Sequence, residues 1–110
     1  MRAREEALVP SHWAVDVLNS LVNAKKHGRI GEEKIVRFIG SLASFRIVLD
    51  TEQGPELWSR IRVLAERYGL TAYDAAYLEL AERTGLPLAT LDRDLQRAAR
   101  SASVPLLDIP

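Results

Sequence analysis

The segment LTAYDAAYLELAERTGLPLATLDRDL, residues 70–95, contains a helix signal followed by a strand signal. Thr71 is a good N-cap for a helix that ends near Gly85, and the apolar run LPLATL then predicts a buried strand. Asp74 falls in the first turn of this helix, and Asp92 follows the strand. A helix that leads directly into a buried strand is typical of α/β domains, in which helices cover a parallel sheet.

The rest of the chain continues this alternation in both directions. Towards the N-terminus, the sequence predicts a strand at ALVP, a helix from the N-cap Ser11 to about His27, a helix in GEEKIVRFIGSL, a strand at FRIVLD and a helix in GPELWSRIRVLAERYG. Towards the C-terminus, it predicts a short helix from Asp92 to Ser101 and a last strand at VPLLDI. The links between strands are too long for hairpins, so we expect one α/β domain over residues 1–110 with a parallel sheet.

Two of these helices have apolar residues at helical spacing, which predicts the face that each one buries. In GEEKIVRFIGSL the apolar residues are Ile35, Phe38, Ile39 and Leu42. In GPELWSRIRVLAERYG the predicted buried stripe is Leu57, Trp58, Ile61, Leu64, Ala65 and Tyr68.

Composition narrows the class of protein further. The chain has 15 basic and 15 acidic residues, so no overall charge attracts it to nucleic acid or to membranes, and any anion binding must be local. Cysteine is absent, which excludes disulfides and thiolate metal sites. No apolar run approaches the roughly 20 residues of a membrane span, and the N-terminus lacks the apolar centre of a signal peptide. We therefore expect a soluble, cytoplasmic protein.

Asp74 has two interpretations. Its spacing from Thr71 fits a capping box at the positive end of the helix dipole, which is the commoner role for such an acid. On a helical wheel, however, Leu78 lies at about 40° and Ala81 at about 340° from Asp74, whereas the polar group Glu79, Glu82 and Arg83 centres near 130°. Asp74 thus points into the apolar arc, where a carboxylate needs a partner or a metal ion.

Asp92 also has two interpretations. It could simply cap the helix that follows, or it could line a ligand crevice, because open parallel sheets bind ligands at the carboxyl ends of their strands. Asp94 is best explained as a first-turn partner of the helix dipole, although it could also lie at the rim of a site. Because both candidate acids fall at a strand end or a helix start, they could converge at one edge of the sheet.

The pattern Thr-x-x-Asp followed by a strand ending in Thr-x-Asp resembles the C-terminal half of PIN-domain ribonucleases, especially VapC-like toxins of bacterial toxin-antitoxin pairs. VPSHWAVDVLNSLVNAKKHGRI also resembles that family's proline, aromatic, acid, Val-x-Asn helix, with Asp16 where glutamate is usual. The resemblance covers nearly the whole chain. It implies a three-layer αβα sandwich with a parallel sheet, and an acid cluster that binds Mg²⁺ or Mn²⁺ and cleaves RNA by metal-activated water.

By position, Asp16, Asp74 and Asp92 match the second, third and fourth acids of that cluster, and Thr90 would support Asp92. From its own surroundings Asp16 lies in a polar arc, which is typical of a solvated surface acid. The family also implies an RNA substrate, a small antitoxin partner and a homodimer. Three arginines of the last helix could contact phosphate or could form a solvated face: Arg93, Arg97 and Arg100.

The resemblance also predicts a departure, because the family begins with a central strand that carries the first aspartate, followed by a helix. RAREEALVP matches the end of that helix and the next strand, so we expect this opening unit, of roughly 20 to 30 residues, to be missing. Met1 is then either a misassigned start, the true start of a degenerate paralogue that does not cleave, or the start of a chain whose gap another chain fills.

Two functions follow. The first is a metal-dependent endoribonuclease of the toxin type, or a truncated or inactive form of one. The alternative is a non-catalytic module that binds an antitoxin or a second copy through the apolar helices of residues 11–27 and 32–42.

Overall fold

The computed structural model describes residues 5–90 and 92–107, and the chain divides into two compact units, Met1–Asp50 and Thr51–Pro110. The single domain predicted from the sequence stays a prediction, and each unit is described by itself below. None of the described helices is long and apolar enough to cross a membrane.

In the first unit, one strand precedes two helices along the chain and a second strand follows them. The elements are β1 (Glu5–Val9), α1 (Trp13–Lys26), α2 (Glu32–Leu42) and β2 (Phe45–Leu49). β1 and β2 pair in parallel, from Glu5 opposite Phe45 to Val9 opposite Leu49. Both predicted strands and their parallel direction are therefore confirmed, as is the α/β class.

Two predictions for this unit need correction. The N-cap of α1 is His12 rather than Ser11, because the Trp13 N–H bonds to the Pro10 carbonyl at 3.0 Å and this turn delays the helix by one residue. No residue of α1 or α2, which the structure describes throughout, is buried. The predicted apolar face of α2 is only partly covered, since Phe38 and Ile39 are 44% and 45% exposed.

The second unit is built around its middle helix. Its helices are α3 (Pro55–Tyr68), α4 (Ala72–Thr84) and α5 (Arg93–Ser101). As predicted, α3 and α4 end at left-handed glycines, Gly69 at φ 65° and Gly85 at φ 71°. The core cluster contains Leu64, Ala75, Leu78, Ala81, Leu88, Leu95, Ala98, Ala99 and Val104. α4 is buried on most sides, because α3 and α5 both pack against it.

The predicted buried stripe of α3 is wrong at one residue. Trp58 is 63% exposed, whereas Leu64 is buried and Ile61 packs partly buried against the core. The reason is geometric: Trp58 lies about 100° around the helix from Leu57, at the edge of the stripe. Only the part of the stripe that faces α4 becomes covered.

The strands predicted at LPLATL and VPLLDI are reduced, within the described residues, to one parallel bridge between Leu88 and Leu106. The Leu88 N–H donates to the Pro105 carbonyl at 2.8 Å, and the Leu107 N–H donates to the Leu88 carbonyl at 2.9 Å. Pro105 has no N–H, so the hydrogen bond that would extend this parallel ladder towards the N-terminus, to the Leu86 carbonyl, cannot form. The ends of both predicted strands, Leu91 and residues 108–109, lie outside the described residues.

Candidate functional site

Asp92 caps the N-terminus of α5. Its Oδ1 accepts a hydrogen bond from the Leu95 N–H at 2.8 Å, and its own N–H donates to Thr90 Oγ1 at 3.1 Å. The Gln96 side-chain amide donates to the Thr90 carbonyl at 2.9 Å, which ties the preceding segment to the first turn. The capping interpretation of Asp92 is therefore confirmed, and the Thr90 hydroxyl accepts a hydrogen bond from the backbone of Asp92 rather than contacting its carboxylate.

The cap uses only part of the Asp92 carboxylate. Asp92 is exposed, and its Oδ2 makes no hydrogen bond or ion pair with the described residues. One oxygen thus fixes the direction of the side chain, while the other is open to solvent. A carboxylate held in this way is oriented without being neutralised, which suits it to bind a cation or to accept a proton.

Asp74 is the third residue of α4. Its N–H donates to the Thr71 side-chain oxygen at 3.1 Å, so the predicted N-cap of this helix is confirmed. Asp74 is half-buried, and the neighbouring Ala75 and Leu78 are completely buried. The helical wheel pointed Asp74 into the apolar arc, and the side chain is half-buried beside that arc rather than fully enclosed by it.

The Thr71 cap gives a first testable prediction. Thr71→Ala should lower the free energy of unfolding by about 1 kcal/mol, because the Asp74 N–H loses its acceptor. Thr71→Ser keeps a side-chain oxygen and should stay within a few tenths of a kcal/mol of wild type. Urea unfolding followed by circular dichroism measures both. Equal losses in the two variants would mean that the hydroxyl does not support α4.

The second unit anchors both acids in the same core. Ala75, next to Asp74, and Leu95, whose N–H Asp92 caps, belong to one buried cluster, and α4 packs against α5. Each carboxylate also lies at the N-terminal end of its helix, where the helix dipole favours negative charge. Two acids are therefore supported at the starts of two helices that pack together.

Asp16 lies in the first unit, in the first turn of α1, and is half-buried. Its carbonyl accepts a hydrogen bond from Ser20 Oγ at 3.1 Å. Since Asp16 belongs to one unit and the other two acids belong to the second, a shared site of all three stays a prediction.

α5 carries one basic face. Arg93, Arg97 and Arg100 fall within an arc of about 60° on this helix. All three are exposed, and the opposite side contains the buried residues Leu95, Ala98 and Ala99. Arg97 pairs with Asp94 at 3.4 Å, and both side chains are largely exposed, so Asp94 contacts a neighbouring arginine. A surface pair of this kind contributes little to stability.

The donor types of these acids suit Mg²⁺ or Mn²⁺, because hard cations prefer carboxylate oxygens. These acids do not, however, provide enough ligands in one place to hold a metal ion. Within residues 5–90 and 92–107, no three or more His, Asp or Glu side chains are grouped so that they could hold a metal ion. A metal site formed by these acids therefore stays a proposal.

A second cluster, which the sequence did not predict, joins α3 to α4. Glu79 is only 3% exposed, and Arg83 binds it through two hydrogen bonds, Nε to Oε2 at 2.9 Å and Nη2 to Oε1 at 3.0 Å. Arg60 donates from Nε to the same Oε2 at 3.1 Å and also pairs with Glu52 at 3.7 Å. We call Arg60, Glu79 and Arg83 the Glu79 ion triad.

An open groove of about 830 Å³ lies beside the triad. Leu64 and Glu79 are its buried lining residues. The more exposed lining includes Ser59, Val63 and Arg67 of α3 and Glu82 of α4. The groove is therefore a feature of α3 and α4, and it combines apolar and charged side chains.

The wheel placed Glu79 in one polar group with Glu82 and Arg83; in the structure Glu79 is buried, whereas Glu82 and Arg83 are exposed. A charge so deeply buried needs a partner, and Arg83 at i+4 was the available local signal. Arg60 lies 19 residues from Glu79 in the chain, so no local pattern could have identified it.

Comparison with known proteins identifies related chains. A family model described as PIN domain matches residues 1–101. Ribonuclease VapC3 of Pyrobaculum aerophilum is 35% identical over 82 residues, which are 74% of this chain and 63% of that protein. Exonuclease VapC9 of the same organism is 38% identical over 103 residues, which are 93% of this chain and 74% of that protein.

A solved structure agrees with these matches. The crystal structure of PAE2754 from Pyrobaculum aerophilum superposes with a TM-score of 0.61 at 29% identity, and the match covers 83% of this chain. The match spans 65% of the PAE2754 chain, as it spans 63% of VapC3. This chain thus corresponds to less than two thirds of either protein.

Proposed function

The chain belongs to the PIN-domain family, whose model covers residues 1–101, and we propose that it is a metal-dependent endoribonuclease of the toxin-antitoxin type. Its substrate would be RNA in the cytoplasm, and its partner would be a small antitoxin. The observation that carries this proposal is the pair of aspartates at the starts of two packed helices, Asp74 on α4 and Asp92 on α5. One relative, Ribonuclease VapC3, is named for this activity, which supports the proposal.

Three acids would carry the reaction in this proposal. Asp74 and Asp92 would be ligands of Mg²⁺ or Mn²⁺, and Asp16 would add a ligand or orient the attacking water. Such an ion supplies an activated water and stabilises the charge that develops on phosphate oxygens. The open oxygen of Asp92 supports this role, because the cap holds one carboxylate oxygen and leaves the other available to a cation.

The experiment must separate internal cleavage from digestion at the ends, because one relative is named a ribonuclease and the other an exonuclease. The chain is incubated with an end-labelled linear RNA and with the same RNA closed into a circle. With Mg²⁺ or Mn²⁺, we expect both RNAs to be cut at the same internal positions. With EDTA, we expect neither to be cut.

Two results would contradict the proposal. Shortening of the linear RNA from one end, with the circle intact, would identify an exonuclease. Intact RNA of both forms under all metal conditions, with a folded protein, would exclude cleavage by this chain.

The basic face of α5 gives a further prediction for substrate binding. We expect Arg93→Gln, Arg97→Gln and Arg100→Gln together to weaken the binding of single-stranded RNA by about tenfold or more, since each arginine neutralises a phosphate. The slope of log K against log salt should fall by about 0.7 per lost contact. Fluorescence anisotropy in EDTA measures binding without cleavage. Arg62→Gln on α3 is the matched control, because Arg62 is exposed and pairs with Glu66. An unchanged salt slope in the triple variant would count against this face.

The exposed apolar surface of the first unit favours a second candidate, a non-catalytic module that binds an antitoxin or another copy of the chain. On α1, Val15, Leu18 and Val22 are 72%, 49% and 64% exposed. Their spacing places them on one side of the helix, which is the form that a groove-binding partner recognises. A folded chain that binds the small protein encoded beside it, and cleaves neither linear nor circular RNA, would select this function.

A further inference from the structure

We propose that Gln96 is a positioning residue of the candidate site, which holds Thr90 and Asp92 against the first turn of α5 and so fixes the direction of the Asp92 carboxylate. This inference rests on the proposed function, because Gln96 acts on the reaction through Asp92. It is carried by the hydrogen bonds around Asp92 and by the one carboxylate oxygen that they leave open.

Gln96 binds the preceding chain at two points. Its backbone N–H donates to the Asp92 carbonyl at 2.9 Å, which is the first hydrogen bond of α5. Its side-chain Nε2 donates to the Thr90 carbonyl, also at 2.9 Å, and this side chain is half-buried. Any residue except proline could make the first bond, whereas the second needs a side-chain donor of suitable length. The identity of residue 96 therefore decides whether Thr90 is held.

Thr90 transmits this restraint to Asp92. While Gln96 holds the Thr90 carbonyl, the Thr90 hydroxyl accepts a hydrogen bond from the Asp92 N–H at 3.1 Å. Asp92 Oδ1 in turn accepts from the Leu95 N–H at 2.8 Å. The N–H, the carbonyl and one carboxylate oxygen of Asp92 are thus all engaged. Among its polar atoms, only Oδ2 has no partner in the part of the chain that the structure describes.

The bond from Gln96 adds a restraint that the cap alone does not provide. The cap ties the Asp92 side chain to α5, but the chain before Asp92 could still shift and turn the carboxylate. The bond to the Thr90 carbonyl limits that shift, because it fixes a residue two positions earlier to the same helical turn. Misplacing a reacting group by about 1 Å can slow a reaction by about 100-fold. Gln96 therefore contributes to the rate by setting where Oδ2 points.

Gln96→Met tests this role, because methionine removes the donor and keeps the length and helix propensity of glutamine. We expect the cleavage rate at saturating RNA to fall by about 10- to 100-fold, as when a residue that supports a functional side chain is lost. The dissociation constant for RNA, measured by fluorescence anisotropy in EDTA, should stay within about twofold of wild type. Gln53→Met is the matched control, since Gln53 is exposed in the loop before α3, and its rate should not change.

A double variant tests whether Gln96 acts through Asp92. In the Asp92→Asn background, Gln96→Met should slow cleavage by less than about twofold further, because the carboxylate that it positions is already gone.

Hydrogen exchange followed by NMR gives a measurement that needs no cleavage. In Gln96→Met, the Asp92 N–H should exchange at least about threefold faster than in the wild type, since Thr90 no longer holds it in place. The N–H groups of Ala98 and Ala99, in the later turns of α5, should keep their wild-type rates. Loss of general support for the helix would instead raise the exchange rates of all three groups.

Several results would overturn the proposal. Gln96→Met that cleaves RNA as fast as the control, or that slows Asp92→Asn by its full single effect, would exclude action through Asp92. Faster exchange along all of α5, or an unchanged Asp92 N–H, would leave Gln96 without a positioning role. If Gln96→Met does not fold, Gln96→Glu replaces it, because glutamate keeps the shape of glutamine without its N–H donor.

Failure of the proposed function gives a different result. A folded wild-type chain that cuts neither linear nor circular RNA would contradict the ribonuclease activity. The exchange rate of the Asp92 N–H in Gln96→Met would then decide by itself whether Gln96 positions Asp92.

Discussion

Asp92→Asn is expected to slow RNA cleavage by roughly 100-fold or more, because the proposed metal ion loses a charged ligand, while stability hardly changes. The two effects separate because asparagine caps a helix about as well as aspartate does. Its side-chain oxygen can still accept the hydrogen bond from the Leu95 N–H, which is 2.8 Å from Asp92 Oδ1 in the wild type. Only the negative charge is lost, so initial cleavage rates and urea unfolding of the same preparation isolate the role of that charge.

Asp92→Ala provides the comparison. Alanine removes the cap as well as the charge, so this variant should be as inactive as Asp92→Asn and should also lose about 1 kcal/mol of stability. Glu56→Gln is the matched control, because Glu56 is an exposed acid in the first turn of α3. Its cleavage rate should stay within about twofold of wild type, since a surface substitution of this kind has little effect on structure.

Asp74→Asn should cause a similar loss of cleavage, because the proposal gives both acids the same role. Full activity in either variant would remove that residue from the reaction and leave it as a capping or core-border residue only. Loss of activity in Asp92→Asn with a clear loss of stability would also contradict the argument, because the cap would then depend on the charge.

Local signals predicted the helices well. The ends of α3 and α4 at Gly69 and Gly85, and the caps at Thr71 and Asp92, were confirmed because each depends on residues only a few positions apart. The same locality made Asp74 and Asp92 visible as candidates. Their chemical role came from the family resemblance, since a capping acid and a catalytic acid at a helix start have the same local pattern.

Features that depend on distant partners were predicted less well. Among the residues that the structure describes, the ladder at Leu88 is a single bridge, because strand length depends on which segments pair and sequence periodicity carries no record of the partner. Trp58 is exposed because α4 covers only part of the α3 stripe. Whether Asp16 joins the other two acids stays a prediction for the same reason, because it belongs to a different unit of the chain.

Glu79→Met should lower the free energy of unfolding by about 2 to 3 kcal/mol. Breaking a buried ion pair typically costs about 3 to 5 kcal/mol, because the remaining charge is left without a partner. Here the remaining charges are guanidinium groups, and the side chains of Arg60 and Arg83 are 43% and 26% exposed. They can be hydrated after the substitution, so the loss should fall below the usual range.

Arg83→Met should lower the free energy of unfolding by more than Glu79→Met does, although it removes only one of the two arginines that bind Glu79. It leaves the Glu79 carboxylate, whose side chain is 4% exposed, with Arg60 as its remaining partner in the triad. A buried carboxylate cannot turn outwards as a long arginine can, so its lost hydrogen bonds are not replaced by water. Glu82→Met is the control on α4, and it should change stability by less than about 0.5 kcal/mol.

The double variant decides between a coupled triad and two independent side chains. With both Glu79 and Arg83 replaced by methionine, no carboxylate is left unpaired, and the total loss should be smaller than the sum of the single losses by about 1 to 2 kcal/mol. Urea unfolding of the four proteins gives this coupling directly. Strictly additive losses, or a larger loss for Glu79→Met than for Arg83→Met, would mean that burial of the carboxylate does not govern the stability of the α3 and α4 pair.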